Sequence, residues 1–366
     1  MDGSSGIYPL LFRVLAFVLG AVVGSFLNVC IYRLPLNLSV NEPRRSFCPA
    51  CKKQIPWHQN VPLLSWVFLR GRCANCGSRI TFRYLAIELL AALLFLAVWV
   101  SFPWNVAIAY WVFVSLCIAG SFIDFEHFII PDEITIGGTA AGLVASLAVP
   151  ALMMTERRSI AFFRSVLAAL LGYTLLWIVL EAGKRAFGKK RIRLDAPTPF
   201  SWNRRGEDAE FIVGEEKGLW SDYFARETDL LLLQCNEARL ADREFGATSL
   251  RFRYNELVVD GETFALDQID TIRGIARELQ IPREAMGRGD LKFLAAIGAF
   301  LGWRAVLFSV FAGSLAGSVI GLGTMLIGKR VWSTKLPFGP YLAFGAVFWM
   351  FYGETLVRWY VGMIRV

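Results

Sequence analysis

The chain is 366 residues long, 55% hydrophobic and only 19% charged, with a formal net charge of +8 and a mean hydropathy of +0.49. Soluble domains run at roughly 45–50% apolar and about 25% charged, so the polar surface is too small to cover a core of this size in water. That excludes a soluble enzyme, a disordered chain and a disulfide-stapled secreted module, and predicts an all-α polytopic membrane protein with soluble pieces attached.

A hydrocarbon core of about 30 Å needs roughly 20 apolar residues in helical form. Stretches of that kind run at about 7–31, 84–101, 104–123, 134–153, 160–181, 291–303, 305–327 and 339–357, so about eight transmembrane helices are expected, or six if the short stretches pair differently. Gly302, Trp303 and Arg304 break the sixth from the seventh. The first stretch lacks a basic leading region, exceeds the apolar length of a signal peptide and is followed by no A-x-A-like site, so it reads as a retained span. Gly24, Ser25 and Asn28 within it predict close helix packing.

Loop charge orients the spans. Arg44, Arg45, Lys52, Lys53, Arg70, Arg72, Arg79 and Arg83 follow the first span against the single acid Glu42. Lys184, Arg185, Lys189, Lys190, Arg191 and Arg193 follow the fifth, and Lys329, Arg330 and Lys335 the seventh. The remaining turns hold only Arg157, Arg158 and Arg304. By the positive-inside rule the odd-numbered spans deliver the chain to the cytoplasm, and both termini face outward. The domains expected are a first helix (1–34), a cytoplasmic loop domain (35–82), helices two to five (83–183), an inserted soluble cytoplasmic domain (184–284) and helices six to eight (285–366).

Residues 191–285 hold 19 of the 30 acids against 13 bases, a net −6 beside +14 for the rest. The alternating run Ser249–Tyr254, then Leu257-Val258-Val259 and Asp260-Gly261, predicts strands and a hairpin. A charged helix is expected over 267–280, which makes the insert α+β.

Four of the seven cysteines form Cys48-x2-Cys51 and Cys73-x2-Cys76, separated by 21 residues. Two such turns direct four thiolates at one ion, the tetrahedral S4 set that Zn²⁺ prefers. Two disulfides or four idle thiols are the alternatives; the expected cytoplasmic side disfavours the first, and the paired spacing the second. With all four positions filled by protein, the metal would serve to fold a loop that has almost no core of its own. Cys30, Cys117 and Cys235 read as small apolar packing residues.

Only 11 acids lie outside the insert, and acids at a span are expensive enough to be functional candidates by default. Asp124, Glu126, Asp132 and Glu133 stand where the third span exits, and Asp290 where the sixth enters within Gly287-Arg288-Gly289-Asp290. Glycines before a carboxylate leave the backbone open to close approach. Two carboxylates brought together share one proton; the ionised one activates water and the protonated one polarises a peptide carbonyl. The bland alternative is a pair of helix caps or headgroup-level ion pairs, and spacing does not pair the two aspartates. No Ser/His elbow and no phosphate-binding glycine motif occurs, and His127 reads as an interfacial residue.

Taken together, several segments resemble the type IV prepilin peptidases, bifunctional leader peptidases and N-methyltransferases of pilus and type II secretion systems. They are Gly20–Pro35, Arg44–Cys51, Asn60–Trp66, Leu69–Cys76 with Arg83-Tyr84, Asp124–Asp132, Ala285–Lys292 through Trp303, and Lys335–Tyr341 with its P-F-G-P run. The resemblance implies Asp124 and Asp290 as the catalytic pair, without assigning base or acid. It implies a multi-pass protein of the bacterial inner membrane whose active site faces the cytoplasm. The substrates implied are prepilins or pseudopilins with a short basic leader ending in Gly, and the new α-amine, typically on Phe, is methylated from S-adenosylmethionine. The basic leader would meet Glu126, Asp132 or Glu133. The lipid bilayer is a partner and no nucleic acid is expected. Leu85 stands where the family pattern has Pro, and Gln59 where it has Asp. The insert has no recognised counterpart and reads as a regulator, a contact for pilus or secretion assembly proteins, or decoration. A presenilin-like G-x-G-D protease with other membrane substrates and a non-enzymatic zinc-loop scaffold are the alternatives.

Overall fold

The structure is a computed structural model describing residues 7–364 apart from 44–45, 49, 188, 207, 215, 225–229, 241–242, 283–286 and 327–336. Arg44, Arg45, Pro49, Ala285, Met286, Lys329, Arg330, Lys335 and Leu336, which carry part of the charge pattern and the motifs, lie outside the described residues. Two compact units emerge, Met1–Trp177 with Gly287–Val366, and Ile178–Met286.

The first unit is helical. Its helices are α1 (Ile7–Arg33), α2 (Leu64–Phe68), α3 (Phe82–Ser101), α4 (Trp104–His127), α5 (Asp132–Ala148), α6 (Arg158–Phe187, shared with the second unit), α7 (Arg288–Leu326) and α8 (Gly339–Ile364). Among the described residues five stretches are long and apolar enough to cross a membrane: Leu10–Leu36, Phe82–Ser101, Trp104–His127, Arg158–Gly183 and Arg288–Thr324. The chain is therefore a multi-pass membrane protein. Large apolar side chains such as Phe12, Val22, Leu93, Phe163 and Phe311 point outward, as helices in lipid require.

Small residues line the interior instead. A Cβ on Gly20 would lie 2.7 Å from the Ala91 carbonyl oxygen, and one on Gly24 2.7 Å from the Glu88 Cα, so α1 and α3 pack backbone to backbone. Between α6 and α7, a Cβ on Gly298 would lie 2.4 Å from the Ala168 carbonyl oxygen, and Ser165 Oγ donates to the Ala299 carbonyl at 2.7 Å. The close packing expected at Gly24 is thus present. Helix α7 is interrupted at Gly302 (φ 79°, ψ 175°), at the break the sequence predicts.

The second unit corrects the expectation of an α+β insert. After the end of α6 it is a nine-stranded antiparallel sheet with only short 3-10 turns among its described residues. The strands are β1 (Lys189–Arg205), β2 (Asp208–Val213), β3 (Glu216–Leu219), β4 (Leu231–Leu240), β5 (Arg243–Phe245), β6 (Thr248–Phe252), β7 (Glu256–Val259), β8 (Glu262–Ala265) and β9 (Thr271–Pro282). Their order is β3-β2-β1-β9-β4-β6-β7-β8, with β5 on β4. Residues 267–280, expected as a helix, form a 3-10 turn and most of β9. Buried Ile272, Ala276 and Leu279 are spaced four and three apart, which mimics a helical face. The register shift between Gln234 and Cys235 lets Arg277 bulge opposite β4, so the alternation of two changes phase and brings Leu279 to the core. The hairpin at Asp260-Gly261 is present: both residues have positive φ (52° and 88°) and join β7 to β8. Trp202, Phe211, Trp220, Leu233, Phe252 and Leu279 anchor the core, and Cys235 packs there as expected, burial pushing its thiol up to about 12.

Candidate active site and cysteine cluster

Asp124 lies in the last turn of α4, which Phe128 ends in a left-handed conformation (φ 55°), its N–H returning to the Asp124 carbonyl at 3.0 Å. A non-glycine residue there costs about 1–2 kcal/mol. Pro131 then keeps Ile130 extended and opens α5. The result is a tight reversal that leaves Asp124 only 5% exposed and turns Ile130 inward at 6%.

Asp290 stands in the first turn of α7 and is 7% exposed. Ile130 is the hinge between the two carboxylates. A Cβ on Gly289 would lie 3.2 Å from both the backbone nitrogen and the Cβ of Ile130, so glycine lets α7 start flat against this segment with no neighbour displaced. The chain whose approach the glycine admits is therefore the protein's own. From α8, the Gly339 N–H donates to Asp124 Oδ2 at 2.9 Å. A Cβ on Gly339 would sit 2.8 Å from that oxygen and 2.9 Å from Ile130 Cδ1. The Gly287 N–H reaches the Asp290 carboxylate, which also feels the charge of Asp124. Asp290 Oδ1 is buried with no hydrogen-bond partner among the described residues.

Two aspartates remote in sequence are thus gathered around one isoleucine and served by backbone donors. Such a pair, drawing on one proton, can activate water and polarise a carbonyl. The neighbouring acids are occupied differently. Glu126 pairs with Arg83 at the start of α3, and Asp132 Oδ1 takes Lys292 Nζ at 2.6 Å, tying α5 to α7. Glu133 makes no ion pair among the described residues.

The four cysteines also converge. Their Sγ atoms lie within 4.8 Å of one another, with Cys48 and Cys76 at 3.9 Å. A tetrahedral S4 zinc site has Zn–S bonds of about 2.3 Å and hence S···S edges of about 3.8 Å, so the set fits a metal. No disulfide links them. Each pair sits in the same turn: the Cys48 N–H bonds the Lys53 carbonyl at 3.0 Å and the Cys73 N–H the Ser78 carbonyl at 2.9 Å. Lys52 and Gly77 occupy equivalent positive-φ positions, and the bridges Phe47–Gln54 and Arg72–Arg79 close the two turns. This internal repeat escaped the sequence reading, although aligning the two C-x2-C pairs would have found it. The Cys51 backbone N–H draws the Cys48 thiol down to about 6, toward the thiolate a metal requires.

Three other residues went unforeseen. Gly339 lies in the P-F-G-P run, whose role sequence reasoning left open. Ile130 carries no chemistry of its own. Glu88 is an acid inside a span and 9% exposed, so the rule that singled out Asp124 applies to it as well.

Residues 18–102 match the Bacterial Peptidase A24 N-terminal domain, and residues 111–192 and 273–322 match the Type IV leader peptidase family. The second match skips 193–272, most of the β insert. A prepilin leader peptidase/N-methyltransferase of Aeromonas hydrophila is 28% identical over 381 residues, covering 96% of this chain and 95% of its own length. One of Myxococcus xanthus is 40% identical over 188 residues, 51% of this chain and 53% of the relative. A type 4 prepilin-like proteins leader peptide-processing enzyme of Escherichia coli O78:H11 is 36% identical over 215 residues, 52% of this chain and 76% of the relative. No solved structure matches the chain.

Proposed function

The chain belongs to the type IV leader peptidase family, and from that premise we propose that it is a membrane aspartic endopeptidase whose catalytic pair is Asp124 and Asp290. Its substrates are prepilins or pseudopilins, cut after the Gly that ends a short basic leader. One aspartate takes a proton from water as the oxygen attacks the scissile carbonyl, and the other gives its proton to the carbonyl oxygen. The Gly339 N–H steadies Asp124, and the Gly287 N–H steadies Asp290. Glu133 is the acid for the leader's cations.

The observation that carries this reading is the meeting of two buried carboxylates at Ile130. The test is leader cleavage of a purified prepilin by the full chain in detergent, read by mass spectrometry. Asp124→Asn and Asp290→Asn should each lower the rate at least about a hundredfold, the scale of general acid–base catalysis. Full cleavage by either variant refutes the assignment.

Three finer statements belong to the same proposal. The chain crosses the bacterial inner membrane eight times, counting α5, the two parts of α7 and α8, with the aspartates toward the cytoplasm; the cation-rich loops after odd-numbered spans support this. Cys48, Cys51, Cys73 and Cys76 hold a structural Zn²⁺, which would supply folding energy to the loop and no open coordination position. S-adenosylmethionine, when bound, supplies an electrophilic methyl group to the new N-terminal amine. An unmethylated mature pilin in cells expressing the wild-type enzyme would remove that last activity and leave the peptidase standing.

A further inference from the structure

The loop between the first two spans is rich in cations, yet its short helix α2 carries an apolar face. Leu64, Val67 and Phe68 stand at i, i+3 and i+4, so they share one side of the helix. They are 55%, 58% and 80% exposed. Trp66 leaves α2 on another side, where its Nε1–H donates to the Ile80 carbonyl at 3.3 Å and its ring packs edge-on to Phe82. The helix is thus pinned on one side and leaves three large apolar side chains uncovered on the other.

Depth decides what covers them. Helix α3 has 20 residues, about 30 Å at 1.5 Å per residue, which matches the thickness of the hydrocarbon core. It needs its full length to cross, so Phe82 lies at the membrane boundary, flanked by Arg79 and Arg83 at headgroup level. Glu88 is rooted about 9 Å along the helix from Phe82, and its Oε2 receives the Leu63 N–H at 2.7 Å. A glutamate side chain and that bond together span less than this offset. Leu63, which opens α2, therefore lies below the level of Phe82.

The backbone is fitted to such a place. Hydrocarbon offers no partner to an N–H group, so irregular backbone at membrane depth has to be satisfied from within the protein. The Val61 N–H donates to Ser65 Oγ at 2.8 Å, and the Leu64 and Ser65 N–H groups donate to the carbonyls of Pro62 (2.7 Å) and Val61 (3.0 Å). Pro62 has no N–H to place. Leu63 takes a strained φ of 64°, and in that conformation its N–H meets Glu88.

We propose that α2 is seated in the membrane: Leu64, Val67 and Phe68 lie among lipid acyl chains beside the start of α3, and Arg70 and Arg72 meet the phosphates of anionic headgroups. Amphipathic helices lie about 5–10 Å into the interface, the depth range that the Glu88 bond gives here. Cations just past the apolar face suit an anionic lipid surface. The lipid that covers α3 at its outward side chains Leu89, Leu90 and Leu93 begins at this level. The segment between Cys51 and Cys73 is then fastened to the bilayer near its middle, which holds both cysteine turns at the membrane surface. This inference rests on the membrane spans and is independent of the peptidase and methyltransferase readings.

The test puts the photoreactive residue p-benzoylphenylalanine in place of Phe68, in the full chain reconstituted into nanodiscs of phosphatidylethanolamine and phosphatidylglycerol. Irradiation should attach a phospholipid to the peptide containing position 68, read as a mass shift. An adduct with protein instead, either a second copy of the chain or an added prepilin, overturns the seat and marks a protein-docking face. A label that joins neither lipid nor protein stands in water, which overturns the seat as well. Tryptic cleavage after Arg70 and Arg72 in the same nanodiscs is the second measurement. Val67→Asp combined with Phe68→Asp should speed it about tenfold or more, since proteolysis follows the population of the open form. The buried thiols of Cys48 and Cys73 should stay as slow to alkylate as in the wild type. Unchanged cleavage with those thiols still protected overturns the seat; if the thiols open, the variant loop has unfolded and the photolabel alone decides.

Discussion

The cysteine cluster draws all its ligands from residues 48–76, where two copies of one turn each present a pair of thiols. The aspartate pair is drawn from α4 and α7, with a third helix, α8, donating to Asp124. The cluster has little structure to lean on: none of the residues of its short helix α2 is buried. The aspartates instead sit in helices whose packing is fixed elsewhere by small residues. A ligand-built site should therefore respond to removal of the ligand, and a fold-built site to ångström-scale displacement of the fold.

The largest effect expected is metal removal. Structural zinc contributes an apparent 10–16 kcal/mol in small zinc-dependent folds, roughly. Cys48→Ser combined with Cys73→Ser, or chelation of the wild type, should empty the site and open residues 35–82 to protease. Helix content by circular dichroism should stay near that of the wild type, because the close backbone contacts of α1 with α3 and of α6 with α7 lie outside the loop. A metal-free chain with a protease-resistant loop would show that the cluster is built by the fold after all.

Next comes Gly339→Ala, which keeps the N–H but puts a methyl 2.8 Å from Asp124 Oδ2. Something must move, and displacement of a catalytic group by about an ångström can cost a hundredfold. Leader cleavage should fall on that scale while metal content stays at the wild-type value. Gly289→Ala is milder: its nearest contacts are the backbone nitrogen and Cβ of Ile130 at 3.2 Å. A shift of a few tenths of an ångström accommodates it, and a loss of roughly tenfold is expected on the same scale. If Gly289→Ala proved more damaging than Gly339→Ala, the α7–Ile130 contact would be the tighter constraint.

The same contrast explains what could be read before the structure was known. The cysteine site is local, so spacing alone announced it. The aspartates were conspicuous because acids are scarce outside the insert, but their pairing depends on Ile130 and Gly339, residues with no chemical signature. Five stretches able to cross a membrane were legible from apolar length, and the interruption at Gly302 from the Gly-Trp-Arg run. The insert misled at 267–280 because a bulge at Arg277 moves the strand period toward that of a helix. Its Asp260-Gly261 turn was legible because two consecutive positive φ angles demand such residues. Glu88 was passed over although its burial in a span followed the rule applied to Asp124.

The smallest effect belongs to the Lys292–Asp132 pair, which bears on whether Asp132 acts directly. The side chains are 34% and 60% exposed, and ion pairs of that kind contribute about 0–1 kcal/mol. Lys292 is one turn along α7 from Gly289, and Asp132 opens α5 just after Ile130, so the pair clamps the two segments that position the aspartates. Lys292→Ala and Asp132→Ala should each slow cleavage only a few-fold, within about 1 kcal/mol. The exchanged pair, Lys292→Asp with Asp132→Lys, should recover most of the loss, since a clamp needs opposite charges and is indifferent to which helix carries which. An acid that touches substrate is not replaceable by lysine. Failure of the exchange, with each single alanine variant already near inactive, would therefore move Asp132 from the scaffold into the chemistry and make the aspartate site a three-acid one.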